Sequence, residues 1–511
     1  MTEIVLGPPG TGKTTTLLNL VEGELANGVP PDRIGYVTFT KRGANEAIER
    51  ACKKFSLESK DLPYFRTLHS LCYRNLGLRS SDVLVGKAFD EFADYAGIRV
   101  TGRAWSDDGL LTGFEQGDRI LFMENLARIR QIPLRQQYEM DDDDLPWNEV
   151  QRVATALENY KLRRGLLDYT DMLLQFVAHG HDAGLQKLFV DEAQDLSSLQ
   201  WSVVQLLSRS CDRVTVAGDD DQAIFLWAGA DVEHLITMDG DARVLDRSFR
   251  CPPVVQRVSD EIIRHVMHRR PKKWHARAGG RGAIERHRAF DDVELDGDKK
   301  ETTLILARNQ YILRKQIEPL LRAEGIVYER SGGGTSLKPA QVQAAFTWED
   351  LKKRRPVTLG DARRMYEFIS SGPTGIKRGH KELKNYGEDP DVPVTMRDLR
   401  ETGGLLADPK LLWHDALDRL PPGDMSYMLA ALRRGDKLRG GKPRVKISTI
   451  HSAKGGEADH VVLMKEMAER PHAEIRIRPD DERRVWYVAV TRARERLSIV
   501  SSETHRECPW L

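Results

Sequence analysis

The sequence predicts an α/β protein with two parallel-sheet cores, each interrupted by a mainly helical insert. Three observations carry this expectation. A short apolar run, Ile4-Val5-Leu6, leads straight into the Gly-rich stretch Gly7-Pro8-Pro9-Gly10-Thr11-Gly12-Lys13-Thr14, and Leu17, Leu18, Leu20 and Val21 then recur at helical spacing. Buried parallel strands read as continuous apolar runs and need crossover helices, so a strand–loop–helix start argues an open parallel sheet. The same alternation returns near residue 302, and two long stretches between the strand-rich regions keep helical periodicity with few strand signals. The expected division is a first core at 1–72 and 166–247 around an insert at 73–165. The second core is expected at 248–337 and 442–511 around a shorter insert at 338–441.

Each element has its own signal. Residues 33–40 (Arg-Ile-Gly-Tyr-Val-Thr-Phe-Thr) read as a second strand, and 41–54 as a helix with Ala44, Ala47, Ile48 and Ala51 on one face. Residues 65–69 read as the end of a third strand. Helical periodicity runs from about 73 to 164, with the acidic run 141–144 as a solvated loop, because adjacent carboxylates repel. Strand character returns at 188–192 and 213–219. In the second core, 302–307 reads as a strand followed by a helix through Leu321; 338–441 is helical, Gly/Pro-punctuated and charge-rich, without clear strands. Strands resume at 445–449 and 460–464 and close at 497–500.

Composition limits the function classes. A chain of 511 residues exceeds what one hydrophobic core supports. With 78 Lys and Arg against 77 Asp and Glu, the protein is not a polycation, so any nucleic-acid surface must be a local groove or stripe. Cys52, Cys72, Cys211, Cys251 and Cys508 are scattered without metal-ligand spacing, which suits a reducing compartment. The chain opens on a strand rather than a signal peptide and has no long apolar run, so the expectation is a cytoplasmic protein without membrane contact.

The stretch Gly7 to Thr14 matches G-x-x-x-x-G-K-[ST] in the strand–loop–helix context that a phosphate cradle requires. Glycines let backbone N–H groups converge on phosphate oxygens, and the helix N-terminus adds a favourable dipole. Lys13 is expected to supply a point charge to the β- and γ-phosphates of a nucleotide, and the Thr14 hydroxyl to take a Mg²⁺ position, with Thr15 alongside. Val190-Asp191-Glu192-Ala193-Gln194-Asp195 ends a strand, the edge at which open sheets bind ligands. There Asp191 is expected to hold Mg²⁺ and Glu192 to orient or deprotonate water.

Further blocks follow in order: Thr38-Phe39-Thr40, Thr67-Leu68-His69-Ser70, Gly218-Asp219-Asp220-Asp221-Gln222-Ala223-Ile224-Phe225-Leu226-Trp227, Ser248-Phe249-Arg250, Thr449-Ile450-His451-Ser452-Ala453-Lys454-Gly455-Gly456-Glu457 and Tyr487-Val488-Ala489-Val490-Thr491-Arg492-Ala493-Arg494. With the phosphate loop and the acidic block, these eight resemble, in order and spacing, superfamily 1 helicases of the UvrD/Rep/PcrA type. The resemblance covers both cores and is weak in the inserts.

It implies two RecA-like domains, ATP and Mg²⁺ in a cleft between them, and single-stranded DNA across their tops. By the same resemblance Gln222 senses the γ-phosphate, and Arg250 and Arg492 are arginine fingers supplied in cis. Phe249 replaces an aromatic that stacks on adenine, and Glu457 matches a ribose contact. Phe39, Thr67, His69, Trp227 and His451 fall on the DNA track. Aromatic faces that stack bases bind single strands without reading sequence. Singly, residues such as Phe39 and Trp227 more often serve a core than a base platform, and His69 and His451 would equally be satisfied core histidines.

The stretch 264–288 holds nine Lys/Arg, Trp274 and four histidines, and reads as a solvated basic face, with phosphate contact or a histidine metal site as alternatives. Four departures from the family stand out. Ala228 replaces an arginine and Gly456 a leucine; no upstream adenine-reading glutamine precedes Ile4, so relaxed nucleotide choice is expected; and the block after Gly332-Gly333-Gly334 fits loosely. The second insert is short, and no room is expected for a fused nuclease. The expected activity is an ATP-driven single-strand DNA translocase and helicase, with 3′→5′ polarity from the resemblance alone. The alternative is a nucleotide-gated DNA-binding ATPase that does not unwind. Expected partners are single-stranded DNA and duplex/single-strand junctions, with repair or replication proteins, the chain acting as a monomer.

Overall fold

The computed structural model describes residues 2–39, 41–101, 115–141, 144–180, 183–295 and 301–511, with the side chains of Lys41 and Arg42 left aside. Thr40 and the middle of the acidic run, Asp142 and Asp143, lie outside the described residues. The chain forms two compact units: Met1–Ala283 with Ala473–Glu495, and Ile284–His472 with Arg496–Leu511.

The first unit is built on a six-stranded sheet of β1 (Thr2–Leu6), β2 (Ile34–Thr38), β3 (Phe65–Thr67), β4 (Lys187–Asp191), β5 (Arg213–Gly218) and β6 (Asp241–Val244), in the order β3-β2-β4-β5-β1-β6. All its strand pairs are parallel. Side chains alternate across it: Ile4, Leu6, Val37, Leu188, Val190, Val214 and Val216 enter one apolar cluster, while Val5, Ile34, Tyr36, Phe189 and Ala217 enter another. Both faces are therefore covered, which is why these strands read as unbroken apolar runs.

Register aligns the sheet edge. Leu6 pairs with Gly218 and Val244, and Thr38 pairs with Asp191 and Thr67. The next residues, Gly7, Asp219, Phe39, Glu192 and Leu68, thus leave the sheet side by side at its carboxyl edge, where ligands of open α/β sheets bind. The Leu68–Asn75 helix starts immediately after β3, so His69 sits in a first helical turn rather than at a strand end.

Between β3 and β4 the chain is helical, with helices Lys87–Ala96, Gln116–Arg130, Leu134–Met140 and Trp147–Arg164. They share a cluster of their own that includes Phe89, Phe92, Leu121, Val150 and Leu157. The following helix, Tyr169–His179, instead gives Met172, Leu173 and Phe176 to the first sheet.

The second unit carries the other six-stranded sheet: β7 (Ala283–His287), β8 (Thr303–Ala307), β9 (Tyr328–Arg330), β12 (Val445–Thr449), β13 (Ala458–Met464) and β14 (Ala493–Val500), in the order β7-β14-β13-β8-β12-β9. Its central pairs are parallel. Between β9 and β12, helices such as Pro339–Lys352 and Pro422–Arg434 enclose a separate cluster around Trp348, Tyr366 and Leu399. One correction falls here: this segment holds a two-residue antiparallel pair, β10 (Val357–Thr358) with β11 (Pro393–Val394). β6, β7 and β9 also go beyond the sequence expectation. They are short and half-exposed, so they lack the apolar run that identified the others.

Candidate functional site

The phosphate loop hangs on β1 and β5, with the Gly7 N–H donating to the Gly218 carbonyl at 3.0 Å. Thr11 closes the turn through its N–H and its hydroxyl, both to the Pro8 carbonyl, at 3.2 and 2.8 Å. Gly10 and Gly12 have φ of +71° and +81°, a region that costs L side chains dearly. A Cβ on Gly7 would lie 2.0 Å from Lys13 Cγ, and one on Gly10 would lie 2.4 Å from Arg250 Cβ. Lys13 Nζ donates to the Gly7 carbonyl at 2.9 Å, folding the lysine over the loop at the start of helix Lys13–Ala26. Pro8 and Pro9 are buried, whereas Thr15 is exposed and accepts from Arg50 at 3.4 Å.

Thr14 and the acidic block meet. Thr14 Oγ1 donates to Asp191 Oδ2 at 2.8 Å, and buried Tyr36 donates its hydroxyl to the same oxygen at 2.8 Å. The Glu192 N–H donates to Asp191 Oδ1 at 2.9 Å. Burial, reinforced by the Glu192 charge, pushes the Asp191 carboxyl up to about 6. Glu192 has a φ of +54°, a left-handed backbone rare outside glycine. Its carboxylate accepts from Gln194 Nε2, whose Oε1 in turn accepts the Asp219 N–H at 2.9 Å. A non-glycine residue in this conformation marks a site whose surroundings over-determine it.

Gln222 is held at both ends of its amide. Nε2 donates to Asp219 Oδ2 at 2.7 Å, and Oε1 accepts from Arg492 Nη2 at 3.0 Å. Arg492 is 2% exposed and also donates from Nε to the Val488 carbonyl at 3.0 Å, at the end of helix Pro479–Val490. Residues 248–250 strap the loop: Ser248 Oγ donates to the Pro9 carbonyl at 2.7 Å, and the Phe249 N–H donates to the Gly10 carbonyl at 2.8 Å. Phe249 is 73% exposed, an aromatic face open beside a polar loop. Lys13, Thr14, Asp191, Glu192, Gln222, Phe249, Arg250 and Arg492 thus belong to one compact unit.

The basic stretch 264–288 differs from its expectation as a solvated face. Lys272 is 1% exposed at its side chain, 3.1 Å from Asp219 and 3.0 Å from Asp221, and it hydrogen-bonds Asp220. Arg269 Nε donates to Asp221 at 2.7 Å. Burial alone would depress the Lys272 ammonium, but the three carboxylates hold it above the ordinary lysine value. Composition identified the charge; only the fold supplied the acidic partners.

On the proposed nucleic-acid side, Phe39 stacks on Phe225 with centroids 5.7 Å apart, and both line a shallow pocket with His69, Thr170, Asp195 and Gln200. His69 meets Tyr169 edge-on at 6.1 Å, and burial lowers its imidazole to about 4. Thr67 caps the Leu68–Asn75 helix, its hydroxyl accepting the Ser70 N–H at 3.3 Å. Trp227 stays 43% exposed on a short turn and stacks on Phe122 at 6.2 Å, while Arg130 of the same helix donates to the Leu226 carbonyl at 3.1 Å. Phe122, Arg130, Tyr36 and Lys272 escaped sequence reasoning because none belongs to a short motif by itself; Phe225 lies inside the Gly218–Trp227 block, where nothing local marks it as the partner of Phe39.

The second unit holds His451 and Glu457. His451 is half-buried and follows β12 closely; Glu457 is exposed, just beyond Gly455 with its φ of +78°. Next to this edge lies a polar cavity of about 370 Å³, lined by Gln310, Arg314, Arg330, Ser331, Gly332, Gly333, Ser448 and Ser452. The loosely fitting glycine run, with Ser452 of the Thr449–Glu457 block, was the sequence signal for it.

The chain is similar to known proteins along two stretches. Residues 2–243 match the UvrD/REP helicase N-terminal domain, and residues 428–504 match the UvrD-like helicase C-terminal domain. The chain is 26% identical over 299 residues to the ATP-dependent DNA helicase PcrA of Staphylococcus epidermidis, covering 54% of this chain and 40% of that one. It is 25% identical over 297 residues to PcrA of Staphylococcus aureus, with 54% and 40% covered. The chain thus spans well under half the length of these curated relatives.

Proposed function

Because the chain belongs to the UvrD/Rep/PcrA type of superfamily 1 helicases, we propose that it is an ATP-dependent DNA helicase and single-strand translocase. It moves 3′→5′ and separates strands at duplex/single-strand junctions, with repair or replication proteins as partners and the monomer as the working form. One observation carries the reading: the phosphate loop, the Asp191–Glu192 pair and the Gln222–Arg492 pair converge at one sheet edge.

Backbone N–H groups from Gly7 to Thr15 and the Lys13 ammonium cradle the phosphates. Thr14 and Asp191 offer adjacent oxygens 2.8 Å apart, a donor set that suits a hard divalent cation such as Mg²⁺. Thr14 and Asp191 would hold such an ion, and the chemistry it would supply there is neutralisation of phosphate charge. Glu192 orients and deprotonates the attacking water. Gln222 senses the γ-phosphate, and Arg250 and Arg492 meet the charge that develops on it. Phe249 stacks on the base, and Glu457 is assigned to the ribose from its motif position alone. Phe39, Thr67, His69 and Trp227 in the first unit, and His451 in the second, follow the DNA strand.

The test pairs Lys13→Ala and Glu192→Gln with strand displacement on substrates bearing 3′ or 5′ tails. Glu192→Gln should retain ATP binding and lose about 10²-fold or more in turnover, whereas Lys13→Ala should lose binding as well. Displacement from 3′ tails alone supports the full reading. DNA-stimulated hydrolysis without displacement would leave a nucleotide-gated binding protein instead.

A further inference from the structure

Asp219, Asp220 and Asp221 are consecutive and all but fully buried, at 0%, 0% and 1% exposure. Three buried carboxylates on one turn are prohibitive unless cations and hydrogen bonds compensate them. Lys272 is the cation that touches all three. Its own place is fixed by neighbours: the Arg270 N–H donates to Asp220 Oδ2 at 2.9 Å, Arg269 Nε to Asp221 Oδ1 at 2.7 Å, and Arg484 Nε to the Asp220 carbonyl at 3.0 Å.

We infer that Lys272 is a positioning residue for the Gln222 amide, acting through Asp219. The inference rests on reading this site as a nucleoside triphosphate site. The two oxygens of Asp219 have divided duties: Oδ1 lies 3.1 Å from Lys272 Nζ and accepts the Asp221 N–H at 3.3 Å, which leaves Oδ2 to Gln222 Nε2 at 2.7 Å. That acceptor decides which end of the amide is which. With its NH₂ committed to Asp219, Gln222 turns its carbonyl oxygen to Arg492, 3.0 Å away. A flipped amide would set an NH₂ group against a guanidinium, two donors facing each other. Lys272 therefore fixes the sense of the hydrogen-bond relay Lys272–Asp219–Gln222–Arg492 without touching the nucleotide. On this inference the buried ion cluster serves to specify an orientation rather than to add stability.

The experiment is a double-mutant cycle in the full chain between Lys272→Met and Gln222→Ala, with Lys272→Arg as the conservative variant. Two readouts are taken: kcat and KM for ATP with saturating single-stranded DNA, and the binding ratio of AMP-PNP to ADP, which needs no hydrolysis. Lys272→Met should lower kcat by about thirtyfold or more with KM within about threefold, the signature of an interaction made mainly in the transition state. It should lower the AMP-PNP/ADP ratio as far as Gln222→Ala does, and Lys272→Arg should recover part of both. The double variant should be no worse than Gln222→Ala within about threefold, because the two residues act in series. Losses that multiply, or a Lys272→Met kcat within about threefold of wild type, would overturn the inference. Should Lys272→Met show no cooperative melt, Asp219→Asn must reproduce the kcat-selective loss and the same non-additivity with Gln222→Ala; unchanged kcat there overturns it equally. A wild-type chain that does not hydrolyse ATP overturns the helicase reading, while the binding ratio still decides the role of Lys272.

Discussion

Asp191 is asked to do two things that conflict. It is held by Thr14, Tyr36 and the Glu192 N–H in a buried pocket, and its carboxyl is pushed up to about 6 by burial and then by Glu192. A carboxyl whose folded pKa exceeds its unfolded value carries an ionisation penalty. That penalty is fully present above about pH 6 and fades as pH falls toward the unfolded value, about 3.9. Asp191→Asn should therefore raise the melting temperature of the metal-free protein at pH 8, and the gain should shrink steadily toward pH 4.5. A gain of equal size at both pH values would show that charge is not its source. Arg492→Ala removes both the cation and the partner of the Gln222 carbonyl. A cis arginine finger is worth roughly 10³-fold or more in kcat. Turnover within about tenfold of wild type would reduce Arg492 to a buried structural arginine.

At the scale of elements, the turn Leu226–Ala228 does what no single residue does. It follows the Asp219–Gln222 turn by four residues, carries Trp227 outward, and is gripped by the helix Gln116–Arg130 through Phe122 and Arg130. A nucleotide-dependent movement of Gln222 would thus be felt by an exposed indole over a short covalent path. Trp227→Ala should weaken single-strand binding by about 1–3 kcal/mol, the value of one base–aromatic stack, with DNA-independent hydrolysis preserved. Unchanged DNA affinity with a lowered melting temperature would place the indole in a packing role against Phe122. Thr67 illustrates the opposite case. As the N-cap of Leu68–Asn75 it has a structural duty already, so Thr67→Ala should cost about 1 kcal/mol of stability whatever it does to DNA. A melting temperature unchanged by that substitution would refute the cap.

For the molecule as a whole, the helical segment after β3 is tied to the flank of the first sheet by charge. Arg128 of helix Gln116–Arg130 and Lys161 of helix Trp147–Arg164 converge on Asp168 at 2.8 and 2.6 Å, and both also reach Asp171. Asp168 caps the helix Tyr169–His179 as well, accepting the Asp171 N–H at 2.8 Å. Burial opposes its ionisation, but Arg128 and Lys161 hold its carboxyl well below the usual carboxylate range. Stability from such a depressed group is complete above the unfolded carboxyl value and is lost only as pH falls through the folded one. Asp168→Asn leaves two buried cations short of a partner and should cost roughly 3–5 kcal/mol at pH 7, read as a fall in the urea midpoint. A shift below about 1 kcal/mol would mean that the apolar packing of Met172, Leu173 and Phe176 holds this junction alone.

What the sequence determined by itself was whatever depends on neighbours along the chain. The unbroken apolar runs of β1, β2, β4 and β5, the Gly7–Thr14 loop between strand and helix, and the acidic pair at the end of β4 all follow from local periodicity and from backbone geometry that few residue types satisfy. Those same local rules missed β6, β7 and β9, whose pairing comes from a neighbouring strand and not from their own composition. The basic stretch 264–288 looked like a solvated face because a lysine's environment is not encoded by the lysine. Tertiary structure brought Lys272 beneath three aspartates some fifty residues upstream, and Tyr36 onto a carboxylate 155 positions away. Desolvation then turned charges that would be interchangeable in water into fixed partners, since in a low-dielectric interior each ion must find its counter-ion.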